Sequence, residues 1–294
     1  LDSADVWANP DCFELGEDGR PTRVAGVPPD AFSEDGQRWD NPLYRWDRIA
    51  AEGYRLWTDR MLQAAELYDR VRIDHFRGFD SYWAIPAEAP TAREGTWLSG
   101  PGLPLLEAIG RALEEVGADL SLIAEDLGII TDDVRHLRDE SGIPGMKVLQ
   151  FAFGSGEGCE YLPWNYRDRN TVVYTGTHDN DTTLGWYRTL PDWERGFVDD
   201  TLGCPGEIDI HWRLIRLGME SIADSCIIPI QDYLGLGSTA RFNIPGTASG
   251  NWGWRIPERL LTDGLARRIR AITRAGGRLS SECRTGMNGD QLFS

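Results

Sequence analysis

The stretch Val71-Arg72-Ile73-Asp74-His75-Phe76-Arg77-Gly78 sets a short β-branched run directly before an acid, and the same device recurs along the chain. Leu120 to Ala124 runs into Glu125-Asp126-Leu127-Gly128, and Thr171 to Thr175 runs into Gly176-Thr177-His178-Asp179. Two further apolar runs, Met146 to Phe153 and Cys226 to Ile230, complete a series of strand candidates. Helical patterns fill the gaps: Glu52 to Leu67, Leu105 to Val116, and a segment from Asp132, capped by Thr131, that stops near Gly142. Ile208, Trp212, Ile215, Met219 and Ile222 recur at helical spacing, and Leu260 to Ile272 forms another amphipathic stretch. Strands alternating with helices imply a parallel sheet, either a (β/α)8 barrel or a doubly wound sheet. No G-x-G-x-x-G follows a strand and no G-x-x-x-x-G-K-[ST] occurs, which removes the usual evidence for the nucleotide-binding open sheets and favours the barrel.

In a barrel, chemistry sits where strands end at their C-terminal side, so acids just after a strand are the residues to examine. Asp74, Glu125 and Asp179 hold such places, and the intervals between them are long enough to bring them to one barrel mouth from different strands. Converging carboxylates are costly unless their pKa values are split, and that split is what glycoside chemistry uses: an ionised nucleophile beside a protonated acid. Each acid, taken singly, also fits a structural role. Asp74 can pair with Arg72 or Arg77, Glu125-Asp126 can cap a helix, and Asp179 can sit in a turn. Joined by His75 and His178 the acids also suit a metal, but no H-x-x-x-H or calcium-loop spacing is present, so neither metal nor cofactor is expected.

Composition narrows the partners. The 294 residues carry 30 basic and 47 acidic side chains, a net charge of −17 that repels nucleic acid and anionic lipid. No apolar run is long enough to span a bilayer. Five cysteines, an odd and scattered set without a C-x-x-C pair, fit a reducing compartment. Twelve tryptophans offer flat apolar faces of the kind that sugar rings stack on, although core packing takes many such residues. Two long stretches, Cys12 to Asn41 and Ser238 to Arg255, are rich in Gly, Pro and Asn and lack periodicity, so they are expected to be functional loops.

Several segments carry a resemblance to a known family. VRIDHFRGFDSYWAIP (71–86), IAEDLGIIT (123–131), GIPGMKVLQFAFG (142–154), VVYTGTHDNDTTLGWY (172–187), QDYLGLGSTARFNIPGT (231–247), GNWGWR (250–255) and VAGVPPDAFSEDGQRWDNPLYRW (24–46) closely resemble amylomaltases, the 4-α-glucanotransferases also called disproportionating enzymes. The likeness runs from about residue 2 to about 279; the tail from Ser280 to Ser294 has no counterpart.

The resemblance implies a (β/α)8 barrel that transfers α-1,4-glucan segments to the 4-hydroxyl of a maltooligosaccharide or glucose by a retaining mechanism. By the same resemblance Asp74 is the nucleophile, Glu125 the general acid/base and Asp179 the stabiliser of the transition state. It also implies that Arg72, beside the nucleophile, holds Asp74 ionised at the substrate site, that His178 contacts the sugar, and that Gln37, Trp39 and Asn243 match further glucan-contacting positions. The likeness further matches residues 24–44, with Phe32 as a stacking surface for substrate, to a lid loop within one catalytic domain spanning residues 1–279, in the cytoplasm or, alternatively, a plastid stroma. Three departures stand out: Asp40 where the family usually has glycine, Ala31 for a larger residue beside Phe32, and Trp164 for a common histidine. An α-amylase-type hydrolase and a glucan-binding protein without turnover are the competing readings. The strands from Val71 onward match the fourth to eighth of a barrel, so the first three are expected upstream in a missing N-terminal part, and this chain alone is expected to show little turnover.

Overall fold

The computed structural model describes residues 2–30, 33–128, 130–203 and 205–279. It divides into two compact units, one up to Gly145 and one from Met146 onward.

The first unit opens with α1 (Ala4–Ala8), whose N-cap Ser3 accepts a hydrogen bond from the Val6 N–H through its hydroxyl. Strands β1 (Arg23–Val27) and β2 (Gln37–Pro42) follow, then helices α2 (Trp46–Ala51) and α3 (Arg55–Ala65). After β3 (Arg70–Ile73) come β4 (Ser81–Pro86), β5 (Thr96–Ser99), α4 (Leu103–Glu115), β6 (Ser121–Ala124) and α5 (Asp132–Ser141). The sequence reading of α5 holds to the residue at its start: the Thr131 hydroxyl accepts from the Val134 N–H, and Gly142 closes the helix with φ +68°.

One expectation needs correction. The stretch Cys12 to Asn41, read as an irregular loop, contains β1 and β2, which join β4 and β5 in an antiparallel sheet of order β2-β1-β4-β5. Local pattern does not show these strands because β1 is short and contains Gly26, which reads as loop punctuation. Its glycine has a packing cause: a Cβ there would fall on the Gln37 carbonyl and the Ile85 side chain, at a register shift between Val24 and Gly26. Residues 24–44 are therefore a strand pair with a connection, rather than a loop throughout.

Strands β3 and β6 pair in parallel, with Arg72 opposite Ile123 and Ile73 opposite Ala124, and Ala124 in turn pairs with Gly145, the first residue of β7 (Gly145–Val148). Under this ladder lies a core of Ile73, Phe76, Phe79, Leu105, Ile109 and Val134. The α4 residues Leu105, Ile109 and Leu113 recur every fourth position and are buried, which is why the 3.6-residue period forms a helix there. Phe76, fully buried just after the Asp74 strand, contributes about 3 kcal/mol by removal from water, and truncation to alanine there costs about 3–5 kcal/mol.

In the second unit β8 (Thr171–Tyr174), buried at every position, leads into α6 (Thr183–Thr189), α7 (Asp192–Leu202) and α8 (Ile210–Met219). Then β9 (Ser225–Ile227) pairs in parallel with β8, and α9 (Ile230–Tyr233) and α10 (Asp263–Ala275) follow. Phe153, Leu162, Val173, Tyr187, Ile210 and Leu214 share one core. Of the expected stripe, Trp212, Ile215 and Met219 are buried on α8, whereas Ile208 and Ile222 lie beyond the helix ends and are exposed.

All five expected strand runs are strands; β3 and β6 end where their apolar runs end, and the other three end sooner. The Met146 run turns into a 3-10 turn at Leu149, and the Cys226 run stops before Pro229, which caps α9. Among the described residues no helix is long and apolar enough to cross a membrane. Cys12, Cys159 and Cys226 are free thiols; Cys204, Cys283 and the tail 280–294 lie outside the described residues.

Candidate active site

In the first unit the site grows out of strand register. Because Ile73 and Ala124 are partners, Asp74 and Glu125 are the next residues out of adjacent parallel strands. The ladder continues past the strand ends: the Glu125 N–H donates to the Ile73 carbonyl (2.9 Å) and the Phe76 N–H donates to the Glu125 carbonyl (3.0 Å). Neighbouring strands lie about 4.8 Å apart, which sets the scale of the distance between the two acids.

Their surroundings differ sharply. The Asp74 side chain is 79% exposed and its Oδ1 lies 2.9 Å from an Arg72 guanidinium nitrogen. Glu125 is withdrawn: one carboxylate oxygen accepts from the His75 N–H (2.8 Å) and the other from the Leu127 N–H (3.0 Å). Burial pushes the Glu125 pKa up, against the lowering effect of those two N–H groups and of Arg72, while the Asp74 charge adds to the rise. Two neighbouring carboxyl groups thus sit in unlike environments.

His75 makes this possible through its backbone. It adopts φ 50°, ψ 52°, in the left-handed region, and so aims its N–H at Glu125. That conformation costs a non-glycine residue about 1 kcal/mol, a strain typical of functional sites. The ring packs edge-on against Trp39, 4.8 Å between centroids, and Gly78 leaves it room. Burial, with help from the Arg77 charge, lowers the His75 pKa to about 4, so the ring is neutral near pH 7. Its Nε2 is buried with no hydrogen-bond partner among the described residues. Gln37 and Trp39 are joined by a Trp39 Nε1–H donation to Gln37 Oε1 (3.1 Å), on the exposed side of β2. Phe32 and Ala31 lie outside the described residues.

The second unit holds Asp179 by side chains. Its Oδ1 accepts from Asn243 Nδ2 (2.5 Å), its Oδ2 lies 3.3 Å from His178 Nε2, and its carbonyl accepts from Arg241 (2.6 Å). Arg241 also donates to the Asn243 carbonyl (2.7 Å), so one guanidinium ties the Asn243 loop to the Asp179 loop. The His178 ring lies 5.4 Å from that of Trp252, which is stacked on Phe242. Of the residues singled out in the sequence, the structure joins His178, Asp179 and Asn243 here, and Arg72, Asp74, Glu125, Gln37 and Trp39 belong to the first unit. Trp164 sits exposed in the turn Pro163–Asn165. Sequence reasoning missed Arg241, Trp252 and the backbone role of His75; all three lie inside the quoted segments, but nothing in residue type marked them. Among the described residues no three His, Cys, Asp or Glu side chains are placed to hold a metal ion.

Parallel strands followed by helices, with carboxylates just beyond strand ends, define the class of (β/α)8-barrel proteins, of which these residues form part. The family model for 4-alpha-glucanotransferase matches residues 1–262, and the chain belongs to that family. It is 53% identical over 284 residues to the 4-alpha-glucanotransferase of Thermus thermophilus, covering 95% of this chain and 56% of the relative. It is 50% identical over 280 residues to the chloroplastic/amyloplastic 4-alpha-glucanotransferase of Solanum tuberosum, covering 94% of this chain and 48% of that one. Among solved structures, the amylomaltase of Streptococcus agalactiae in complex with acarbose superposes with a TM-score of 0.89 at 36% identity, over 95% of this chain and 56% of that chain. The chain thus spans about half the length of the curated relatives it matches.

Proposed function

We propose that these residues carry the acid groups of a 4-α-glucanotransferase that moves α-1,4-glucan segments between glucan chains with retention of configuration. The observation that carries the proposal is the contrast between exposed Asp74, beside a guanidinium, and withdrawn Glu125, whose pKa burial raises. An Asp74 oxygen attacks the anomeric carbon as the glycosidic oxygen departs with the Glu125 proton. The resulting glycosyl ester is opened by the 4-hydroxyl of an acceptor, whose proton passes to Glu125, and Asp74 is released as carboxylate. Retention by this route calls for carboxyl groups about 5–5.5 Å apart, in keeping with adjacent strand ends. Asp179, oriented by Asn243, stabilises the positive charge of the transition state and binds sugar hydroxyls. Arg72, His178, Gln37, Trp39 and Phe32 bind the glucan. The strands that close an eight-stranded barrel come from a further, N-terminal part of the protein, and the protein works in the cytoplasm or a plastid stroma.

The segment between Val27 and Gln37, joining β1 to β2, acts as the lid that favours sugar over water as acceptor. Removing all of residues 24–44 would also remove β1 and β2, so a shortened connection is the appropriate probe. Incubating the full-length protein with maltotriose tests the whole reading. Glucose together with oligosaccharides longer than maltotriose is expected, and the shortened connection should raise the share of hydrolysis. Glucose and maltose without longer products would mean a hydrolase, and no turnover a binding protein.

A further inference from the structure

Asp232 lies on α9, just beyond β9, and is only 2% exposed. Its Oδ2 accepts from the Thr175 hydroxyl (2.5 Å) and its Oδ1 from the Thr183 N–H (2.7 Å). Thr175 is the first residue after β8 and Thr183 the first residue of α6. Between these two contacts runs the whole segment that presents His178 and Asp179. One buried carboxylate therefore grips the exit of a strand and the entry of a helix, the two anchors of that segment.

Other bonds press the same segment into one shape. Gln150 donates through its side chain to the Asp181 carbonyl (2.8 Å) and through its backbone to the Thr175 carbonyl (3.3 Å). Ser238 donates to Asp181 Oδ2 (2.6 Å), and a Cβ on Gly176 would lie 2.7 Å from the Gln150 side-chain nitrogen. A buried carboxylate is an expensive fastener. Burial pushes the Asp232 pKa up, only partly offset by the Thr175 and Thr183 hydrogen bonds, so an apolar residue at this place would serve packing better. A forked acceptor is needed where two donors on separate elements must be held at once.

We infer that Asp232 is a positioning residue for the proposed glucan transfer, fixing Asp179 by clamping both ends of the segment that carries it. The inference rests on the role proposed above for Asp179, and the test separates the two. In the full-length protein, kcat and KM for maltotriose and the thermal midpoint are measured for Asp179→Asn, Asp232→Asn, Asp232→Ala and Thr175→Val. Asp232→Asn should keep kcat within about threefold, because an amide can accept from Thr183 and donate to the Thr175 hydroxyl. Asp232→Ala should lower kcat by about 100-fold with KM within about twofold, the scale of a small misplacement of a reacting group. Thr175→Val should lower kcat by about 10-fold, and add nothing on top of Asp232→Ala. Should Asp232→Ala not fold, Thr175→Val against Asp232→Asn carries the same decision. The inference is overturned if Asp179→Asn is inactive while Thr175→Val and Asp232→Ala keep kcat within twofold, or if Thr175→Val and Asp232→Ala add independently. Full activity of Asp179→Asn would overturn the Asp179 role itself, and the inference with it.

Discussion

Asp74 and Glu125 are placed by backbone, whereas Asp179 is held by side chains. In the first unit, parallel register places the two acids, and the N–H groups of His75 and Leu127 hold the Glu125 carboxylate. In the second, Asn243, Arg241 and Asp232 do the holding, and each comes from well over forty residues further along the chain. Backbone-built geometry survives most substitutions except those of the acids themselves. Side-chain-built geometry can be loosened one bond at a time. The two regions should therefore fail differently under mutation.

The largest effect tests the backbone-built region at its reacting group. Asp74→Asn leaves register and packing untouched and should lower transfer activity of the full-length protein by at least about 10³-fold, the order seen when a nucleophile is removed. The thermal midpoint should scarcely move, because the side chain is exposed. Activity within tenfold of the parent protein would dismiss Asp74 as nucleophile and leave the register argument without a function.

Acid and base should act on the first region with opposite signs. His75 has its pKa lowered to about 4 from 6.5, so the folded state resists protonation; the stability this represents is present above pH 6.5 and is lost as pH falls through about 4. It amounts to at most about 3 kcal/mol, and His75→Gln should flatten that part of the stability curve. Glu125 is the reverse case for a carboxyl group. Burial raises its folded pKa, so the folded state keeps its proton longer, and stability falls as pH rises from the ordinary glutamate range through the raised value. Glu125→Gln should accordingly raise the thermal midpoint at pH 7 and lose that advantage near pH 3, while abolishing transfer. A midpoint gain that is equal at both pH values would show that Glu125 is not held against a desolvation cost.

In the side-chain-built region a single bond is the target. Asn243→Ala removes the donor to Asp179 Oδ1 and should lower kcat by about 10- to 100-fold, less than loss of an acid and more than a surface change. An effect below twofold would mean that Arg241 and His178 suffice to orient the carboxylate.

How much of this was readable in advance follows from the same contrast. The five parallel strands, the cap at Thr131 and the stop at Gly142 come from local periodicity and capping chemistry, which residue type reports directly. The acids were legible because strand ends are visible as the point where an apolar run meets a charge. The β1–β2 pair was not, because Gly26 answers to a distant carbonyl rather than to local propensity. Asp232 was equally hidden: in sequence it is one acid among many, and only the fold shows that its two partners bracket Asp179. His75 looked like a possible ligand, while its contribution is a left-handed backbone that redirects an N–H, a property no side-chain pattern encodes.

The smallest effect sharpens the comparison at the edge of the first region. Asp40, where the resembling family usually has glycine, has φ +61° on β2, a conformation that glycine adopts freely and other residues adopt at a cost. Its carboxylate lies 2.6 Å from the Arg38 guanidinium, which also donates to the carbonyls of Ala87 and Ala89. The ion pair is largely exposed on the aspartate side, so it offsets only a fraction of a kcal/mol of the strain. Asp40→Gly should relieve the strain and loosen Arg38 at once, and the first outweighs the second because Arg38 keeps its two carbonyl partners. The expected gain is about 0.5 kcal/mol, a rise of one or two degrees in the thermal midpoint of a protein this size. A fall of similar size would show instead that Arg38 is held chiefly by Asp40. In that case β2, and Gln37 and Trp39 with it, belongs with the side-chain-built geometry of Asp179 rather than with the backbone-built geometry of Asp74.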